Sequence, residues 1–361
     1  MRKITLYFIP LLFIWIAGCN TPDPETQQDI SAADEVVRSY VEDHNIPGMS
    51  VSVYRDGEII WSKGYGYLNL EDQVPVDPAS TLFRIGSVSK TYTATGAGLL
   101  FQDKKLDPEQ PVQAYVPDFP EKQYEITVEQ VAGHIAGIRH YRGDEFMSDK
   151  KYTSITEGLE IFKDDTLLFE PETDYSYSSY GWNLISAVIE GASGQKFLPF
   201  MADEVFGPLN MTNTMPDYAD QDIPNRTLFY VYNDSTDTNE EAPYVDNSYK
   251  WAGGGFLSTT EDMTQFGKAH LSAGFLDQKT LDRFMAPLQT SDGESTGYGF
   301  GWSTIIDSEG NEWKGHSGGS VGGSTMFLLH PENEVVIAFA INRSGAPMAD
   351  LRDELAKIFI D

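Results

Sequence analysis

The chain has 361 residues, enough for about two domains at ~150 residues each and for a core that needs no disulfide or metal staple. Apolar residues make up 40% and charged residues 22%, which excludes wholesale disorder. A net charge of −30 lacks the basic footprint of a nucleic-acid binder. The single cysteine, Cys19, excludes intramolecular disulfides and cysteine-built metal sites.

Arg2 and Lys3 precede an apolar run over 4–17 that is interrupted by Pro10 and is shorter than the ~20 residues of a membrane span. It ends in Ile16-Ala17-Gly18-Cys19, which resembles the lipobox of bacterial lipoproteins. On that resemblance 1–18 is a signal peptide and Cys19 the lipidated residue. Asn20 then points to the outer membrane, by resemblance to the enterobacterial sorting rule. The alternative is a plain signal peptide with an accidental cysteine. Residues 19–28 are polar and carry prolines, and read as a tether.

In chain order, Ser31 with Asp34 predicts a helix start, and Val36, Val37, Tyr40 and Val41 give its apolar stripe. Residues 49–55 and 58–67 read as strands around an Asp56-Gly57 hairpin turn. A short strand at 81–85 leads into small residues over 88–101. Residues 126–200 read as mainly helical, with Thr127 and Gln130 as a capping box and a periodic helix over 181–190 ending at Gly191. Two strands around a polar turn are expected in 226–246, and Ser258 with Glu261 caps a helix of about 260–273. Apolar strands at 323–330 and 335–341 precede a closing helix of about 347–360. Strands thus lie at both ends and helices in the middle. The pattern predicts an antiparallel sheet built from both termini with a helical domain inserted.

Three Ser-x-x-Lys pairs place a hydroxyl and an amine one helical turn apart. Ser148/Lys151 lies in a charged stretch, and Ser193/Lys196 follows a helix end. Ser87/Lys90 follows strand, glycine and helix start, where free N–H groups can stabilise an oxyanion. Ser87 as a simple N-cap remains the alternative. Gly315-His316-Ser317-Gly318-Gly319 and Gly318-Gly319-Ser320-Val321-Gly322 both fit G-x-S-x-G. The next element is a strand rather than a helix, and no acid lies between Ser320 and the later His330, so the hydrolase-elbow reading fails. The six histidines show no H-E-x-x-H spacing, and the acidic stretch 234–246 lacks a calcium-loop glycine, so no metal site is expected. Of the histidines, His316 alone stands in a motif; the others read as ordinary surface or packing residues.

Taken together, the motifs resemble the serine β-lactamase-like and penicillin-binding family, on the class C β-lactamase branch. Ser87-Val88-Ser89-Lys90 matches its first motif. Tyr177-Ser178-Ser179 stands where that family has Tyr-x-Asn, and His316-Ser317-Gly318 where it has Lys-Thr-Gly. Order and spacing agree over roughly 30–360. The stretches Gly137–Tyr141 and Tyr244–Thr259 narrow the resemblance to a mitochondrial serine β-lactamase-like branch.

The resemblance implies an α/β (α+β) fold: a five-stranded antiparallel sheet flanked by terminal helices, plus a mainly helical domain. It would divide the chain into a sheet domain of 29–86 and 250–361 and a helical domain of 87–249. It implies acyl transfer without a cofactor. Ser87 would be the nucleophile, Lys90 would assist its deprotonation, Tyr177 would accept or relay the proton, and His316 would complete the catalytic set. The Ser87 and Gly319 amides would form the oxyanion hole, with Ser179, Ser317 and Gly318 binding substrate. Ser179 lacks the family's amide, and His316 lacks the family's fixed charge. The expected function is an envelope serine hydrolase acting on a peptide, peptidoglycan stem peptide or ester. A true β-lactamase or DD-carboxypeptidase, and a non-catalytic binding protein of the same fold, are the alternatives. Arg343 is expected at the surface, though it could contact a carboxylate; Trp251 is expected either in the core or on the cleft rim.

Overall fold

The computed structural model describes residues 23–360; Cys19 and the rest of the leader lie outside them. Helix α1 (Pro24–Asp43) begins where the Asp23 carboxylate accepts the N–H groups of Glu25 and Thr26, with proline at the first helical position. Residues 24–28, expected as part of the tether, are therefore helical. Ser31 lies inside the helix, its hydroxyl donating to the Gln27 carbonyl. Strands β1 (Gly48–Arg55) and β2 (Glu58–Asn69) form the expected hairpin, and β3 (Val74–Pro75) adds an edge. After β4 (Phe83–Arg84), one 3-10 turn over Gly86–Val88 leads into α2 (Ser89–Gln102).

The middle of the chain holds α3 (Val128–Ala132), α4 (Ile155–Leu159), α5 (Ser179–Ser193) and α6 (Phe197–Phe200); long loops separate the first three, and only three residues separate α5 from α6, so the helices form no continuous run. The Thr127/Gln130 capping box forms as expected. Helix α5 passes through Gly191, whose hydrogen faces the Tyr115 carbonyl where a Cβ would come within 2.0 Å. It stops instead at the left-handed Gly194. Strands β5 (Met215–Pro216), β6 (Tyr230–Asn233) and β7 (Thr238–Glu241) precede α7 (Trp251–Gly254), β8 (Phe256–Ser258) and α8 (Thr260–Lys268). Thr259, not Ser258, caps α8, because its hydroxyl accepts from Asp262 N while Ser258 is still in the strand. Helix α9 (Gln278–Met285) leads to β9 (Ser303–Ile306), β10 (Glu312–Ser320), β11 (Gly323–His330), β12 (Val335–Ile341) and α10 (Ala349–Ile360).

The main sheet is antiparallel in the order β3-β2-β1-β12-β11-β10-β9. Four of its five long strands are those expected; the fifth, β10, is not, because its glycine-rich Gly315–Gly319 stretch lacks an apolar run, and β3 and β9 are short additions at the edges. The two ends of the chain meet at its centre, from Met49 opposite Ile341 to Tyr54 opposite Val336. One face carries Met49, Val51, Val53, Ile337 and Phe339 and packs on α1 and α10. The other face turns toward α8 and the helical body. There Ser50 and Ser52 bond the Thr260 hydroxyl at 2.6 and 2.8 Å.

At the centre of the helical body stands α2, buried over nearly its whole circumference. Its small residues allow this. A Cβ on Gly96 would come within 3.0 Å of Met201 and one on Gly98 within 3.1 Å of Thr280. Its buried threonines bond back to carbonyls one turn earlier, as Thr95 does to Thr91, so they carry no unmet hydroxyl.

Candidate active site

Of the three Ser-x-x-Lys pairs, only one brings its side chains together. Lys151 pairs with Asp220 and Lys196 with Glu190. Lys90 donates to Ser87 Oγ at 3.1 Å, to Ser179 Oγ at 3.1 Å and to the Gly253 carbonyl at 2.6 Å. Ser87 sits in the 3-10 turn that begins α2, and its hydroxyl caps no helix. Lys90 is fully buried. Burial first, and the charge of Lys250 second, hold its amine well below the ordinary lysine range.

Strand β10 closes the site from the sheet side. A Cβ on Gly318 would lie 1.9 Å from the Ile85 carbonyl and 3.3 Å from Ser87 N, and one on Gly86 would lie 2.8 Å from Gly319 N. Glycine at 86 and 318 thus lets the strand edge touch the Ser87 turn, bringing the backbone of Ser87 and Gly319 together. A side chain at Gly319 would meet nothing within 4 Å, so the strand opens to the cleft there. Ser317 is exposed and Gly318 buried.

Tyr177 immediately precedes the Ser178 N-cap of α5. Its hydroxyl is buried without a hydrogen-bond partner, and the Lys90 ammonium lies 4.9 Å from the ring centre. Burial pushes the phenol well above its ordinary range, against a smaller opposing effect of the nearby Ser87 hydroxyl. It is therefore protonated near neutrality, which suits it to relay a proton rather than to abstract one.

Three histidines surround this tyrosine at ring-centre distances of 4.4 Å for His134, 5.6 Å for His140 and 6.1 Å for His316. Their hydrogen bonds and burial together define their state. Ser178 N–H donates to His134 Nδ1 and Ser179 N–H to His140 Nδ1, each at 3.1 Å. An accepting Nδ1 carries no proton, so both rings are neutral with hydrogen on Nε2. His316 Nδ1 faces the Ser317 carbonyl at 2.5 Å and must donate; in the neutral ring Nε2 then accepts from the Tyr298 hydroxyl at 2.9 Å. Burial, and then the Lys90 charge, push His316 down to about 3 and His140 down to about 4. The position where the family has a permanent cation is thus uncharged.

The sequence points to Ser87, Lys90, Tyr177, Ser179, His316 and Gly319, and the structure brings them together. It does not single out His134, His140, Tyr298 or Lys250. The first two cap α5 from 44 and 39 residues away, a pairing with no local signal. Tyr298 stands in Gly297-Tyr298-Gly299-Phe300, where the aromatic-glycine alternation is a usable sign. Trp251 is buried against Tyr218 at 5.5 Å between ring centres and belongs to the core. Arg343, expected at the surface, is buried, donating to the His44 carbonyl at 2.6 Å and stacking on Tyr232. Among the described residues no His, Cys, Asp and Glu cluster could hold a metal ion.

The chain belongs to the beta-lactamase family, whose model matches residues 33–359, and with its relatives it is a serine hydrolase. It is 30% identical to the mitochondrial serine beta-lactamase-like protein LACTB of Mus musculus over 87% of this chain and 75% of that one. It is 27% identical to penicillin-binding protein 4* of Bacillus subtilis, over 84% and 69%. The fold is shared with D-amino acid amidase of Ochrobactrum anthropi SV3, with a TM-score of 0.77 at 21% identity, over 91% and 98% of the two chains.

Proposed function

We propose that this serine hydrolase works through an acyl-enzyme on Ser87 and cleaves peptide or small amide and ester substrates at the cell envelope. The observation that carries the reading is the Lys90 amine, buried and 3.1 Å from Ser87 Oγ. When it loses a proton, Lys90 can still donate to Gly253 and Ser179 while its lone pair takes the Ser87 hydrogen. Ser87 Oγ then adds to the carbonyl carbon, and the negative oxygen lies against the Ser87 and Gly319 amides. Collapse breaks the bond to the leaving group, which receives the proton from Lys90 through Tyr177. Water, deprotonated by the same amine, releases the acyl group and restores Ser87.

The neutral His316 favours substrates without an obligatory carboxylate there, and so amides and esters over penicillins. The amidase of similar fold and the penicillin-binding relative support acyl chemistry on amide bonds. The lipobox-like segment at Cys19 supports attachment to a bacterial membrane, at the outer membrane by its Asn20. Four residues separate Cys19 from α1, a reach of about 14 Å when extended, so such an anchor would hold the body against the bilayer.

Intact mass after treatment of the soluble 20–361 protein with a fluorophosphonate, a penicillin and an activated ester tests this. The expected result is one adduct that is lost in Ser87→Ala, with the ester reacting faster than the penicillin. Faster penicillin turnover would favour a β-lactamase. A folded protein inert to all three would favour a binding role. Palmitate labelling of the full chain and of Cys19→Ala in a bacterial host tests the anchor.

A further inference from the structure

Lys250 is 2% exposed and immediately precedes α7. Its ammonium sits among three aromatic rings, 4.3 Å from the centre of Phe146, 5.2 Å from Tyr249 and 5.6 Å from Tyr141. Among the described residues it forms no ion pair with a carboxylate: Asp217 is held by Arg84 and Arg226, and Glu145 by Arg139. Burying a cation without an acid is costly, and ring contacts return only part of that cost. A lysine kept only for packing would be better replaced by methionine.

Its place in the chain ties it to the reacting amine. The Lys250 carbonyl accepts from Gly253 N at 3.1 Å and Gly254 N at 2.9 Å, closing the turn whose Gly253 carbonyl takes the Lys90 ammonium at 2.6 Å. The same turn lies against the start of α5, where a Cβ on Gly253 would meet the Ser179 carbonyl at 3.0 Å. One helical turn therefore carries one buried lysine at its head and clamps the other at its third residue.

We propose that Lys250 is a positioning residue of the reaction: a second buried ammonium, set behind Lys90 by α7, whose charge keeps the Lys90 amine free to act as the base toward Ser87. The aromatic cage shields it from substrate, so its effect passes through Lys90. The groups that face Lys90 are Tyr177 and the histidines 134, 140 and 316, all neutral near pH 7 by the hydrogen bonds and burial given above. Among the described residues Lys250 is then the cation that acts on Lys90. Around Lys250 stand Tyr141, Tyr249, Arg84 and Asp217. Burial, and then the Arg84 charge, push Lys250 down to about 7. Its charge is thus present below about pH 7.

The inference rests on Ser87 acylation as proposed above. The test is the pH profile of kcat/KM for a neutral activated ester in wild type, Lys250→Met, Lys250→Gln and Lys250→Arg, with folding checked by thermal melting. Removing the charge lets Lys90 hold its proton more tightly. The acid limb in the Met and Gln variants should therefore move up by about one pH unit, a loss of about tenfold at the foot of the limb that vanishes at high pH. Lys250→Arg should keep the wild-type limb. An equal loss at every pH would show mere packing and overturn the proposal. So would an unmoved limb with a raised KM confined to carboxylate-bearing esters, which would make Lys250 a substrate contact. Absence of Ser87-dependent acylation in the wild type would overturn the underlying reading, and the inference with it.

Discussion

The two faces of the central sheet are built on different rules. The face under α1 and α10 is aliphatic and aromatic: Val51, Val53, Ile337 and Phe339 meet Val37, Leu355 and Phe359. Its contacts follow from a period of two in the strands and 3.6 in the helices. The opposite side begins with serine and threonine hydroxyls on Thr260 and leads to a body where lysines, histidines and tyrosines are buried. There several polar groups are held by partners far away in sequence, as Lys90 is by Gly253 across 163 residues. The first side supplies stability that a substitution of similar volume could replace. On the second, a single substitution leaves a buried donor or acceptor unmet, and chemistry fails before folding does.

The largest separation should come from Lys90→Met. It should lower kcat/KM for an activated ester by about 10²–10⁴-fold while the circular-dichroism spectrum stays native; a loss below tenfold would place the base elsewhere. On the other face, Leu355→Ala should cost about 2–5 kcal/mol in denaturant unfolding, as a fully buried leucine does, with unchanged kcat per folded molecule. A drop in kcat there would break the comparison.

Acid should divide the two faces next. His134, His140, His270 and His316 are held neutral below the ordinary histidine range, chiefly by burial. Unfolded, they bind protons below about 6.5. Their contribution is thus complete above that pH and is lost as pH falls toward the folded values of about 4 for His140 and His270. The melting temperature should fall by ~10 °C between pH 7 and pH 4, and His140→Asn and His270→Asn should flatten that slope. The smallest effect belongs to Ser178→Ala, which removes the α5 N-cap for about 1 kcal/mol. Because Tyr177 directly precedes that cap, kcat should fall more than stability does.

Legibility in the sequence obeys the same division. Strands β11 and β12 begin and end where the apolar runs do, and the Thr127/Gln130 box forms as spelled. The start of α1 lies earlier than expected because Asp23 with Pro24 caps better than Ser31, whose hydroxyl finds a helical carbonyl instead. Gly191 does not stop α5 because glycine serves close approach as well as termination. In the site, Ser87 and Lys90 are legible because one turn of helix links them. His134 and His140 are not, because their task is to accept the first amides of a helix that begins some forty residues later.

The pairing of β1 with β12 has a consequence for the order in which the molecule can form. The hairpin of β1 and β2 emerges early in synthesis, yet the strand that completes its inner edge is residues 335–341. For most of translation that edge is open, with Met49, Val51 and Val53 uncovered beside it, an invitation to the wrong strand. Ser87 meets Gly319 only after the same closure. Recovery of esterase activity during refolding should therefore lag behind the helical signal, and a chaperone that binds open strand edges should raise the yield more than one that binds helices.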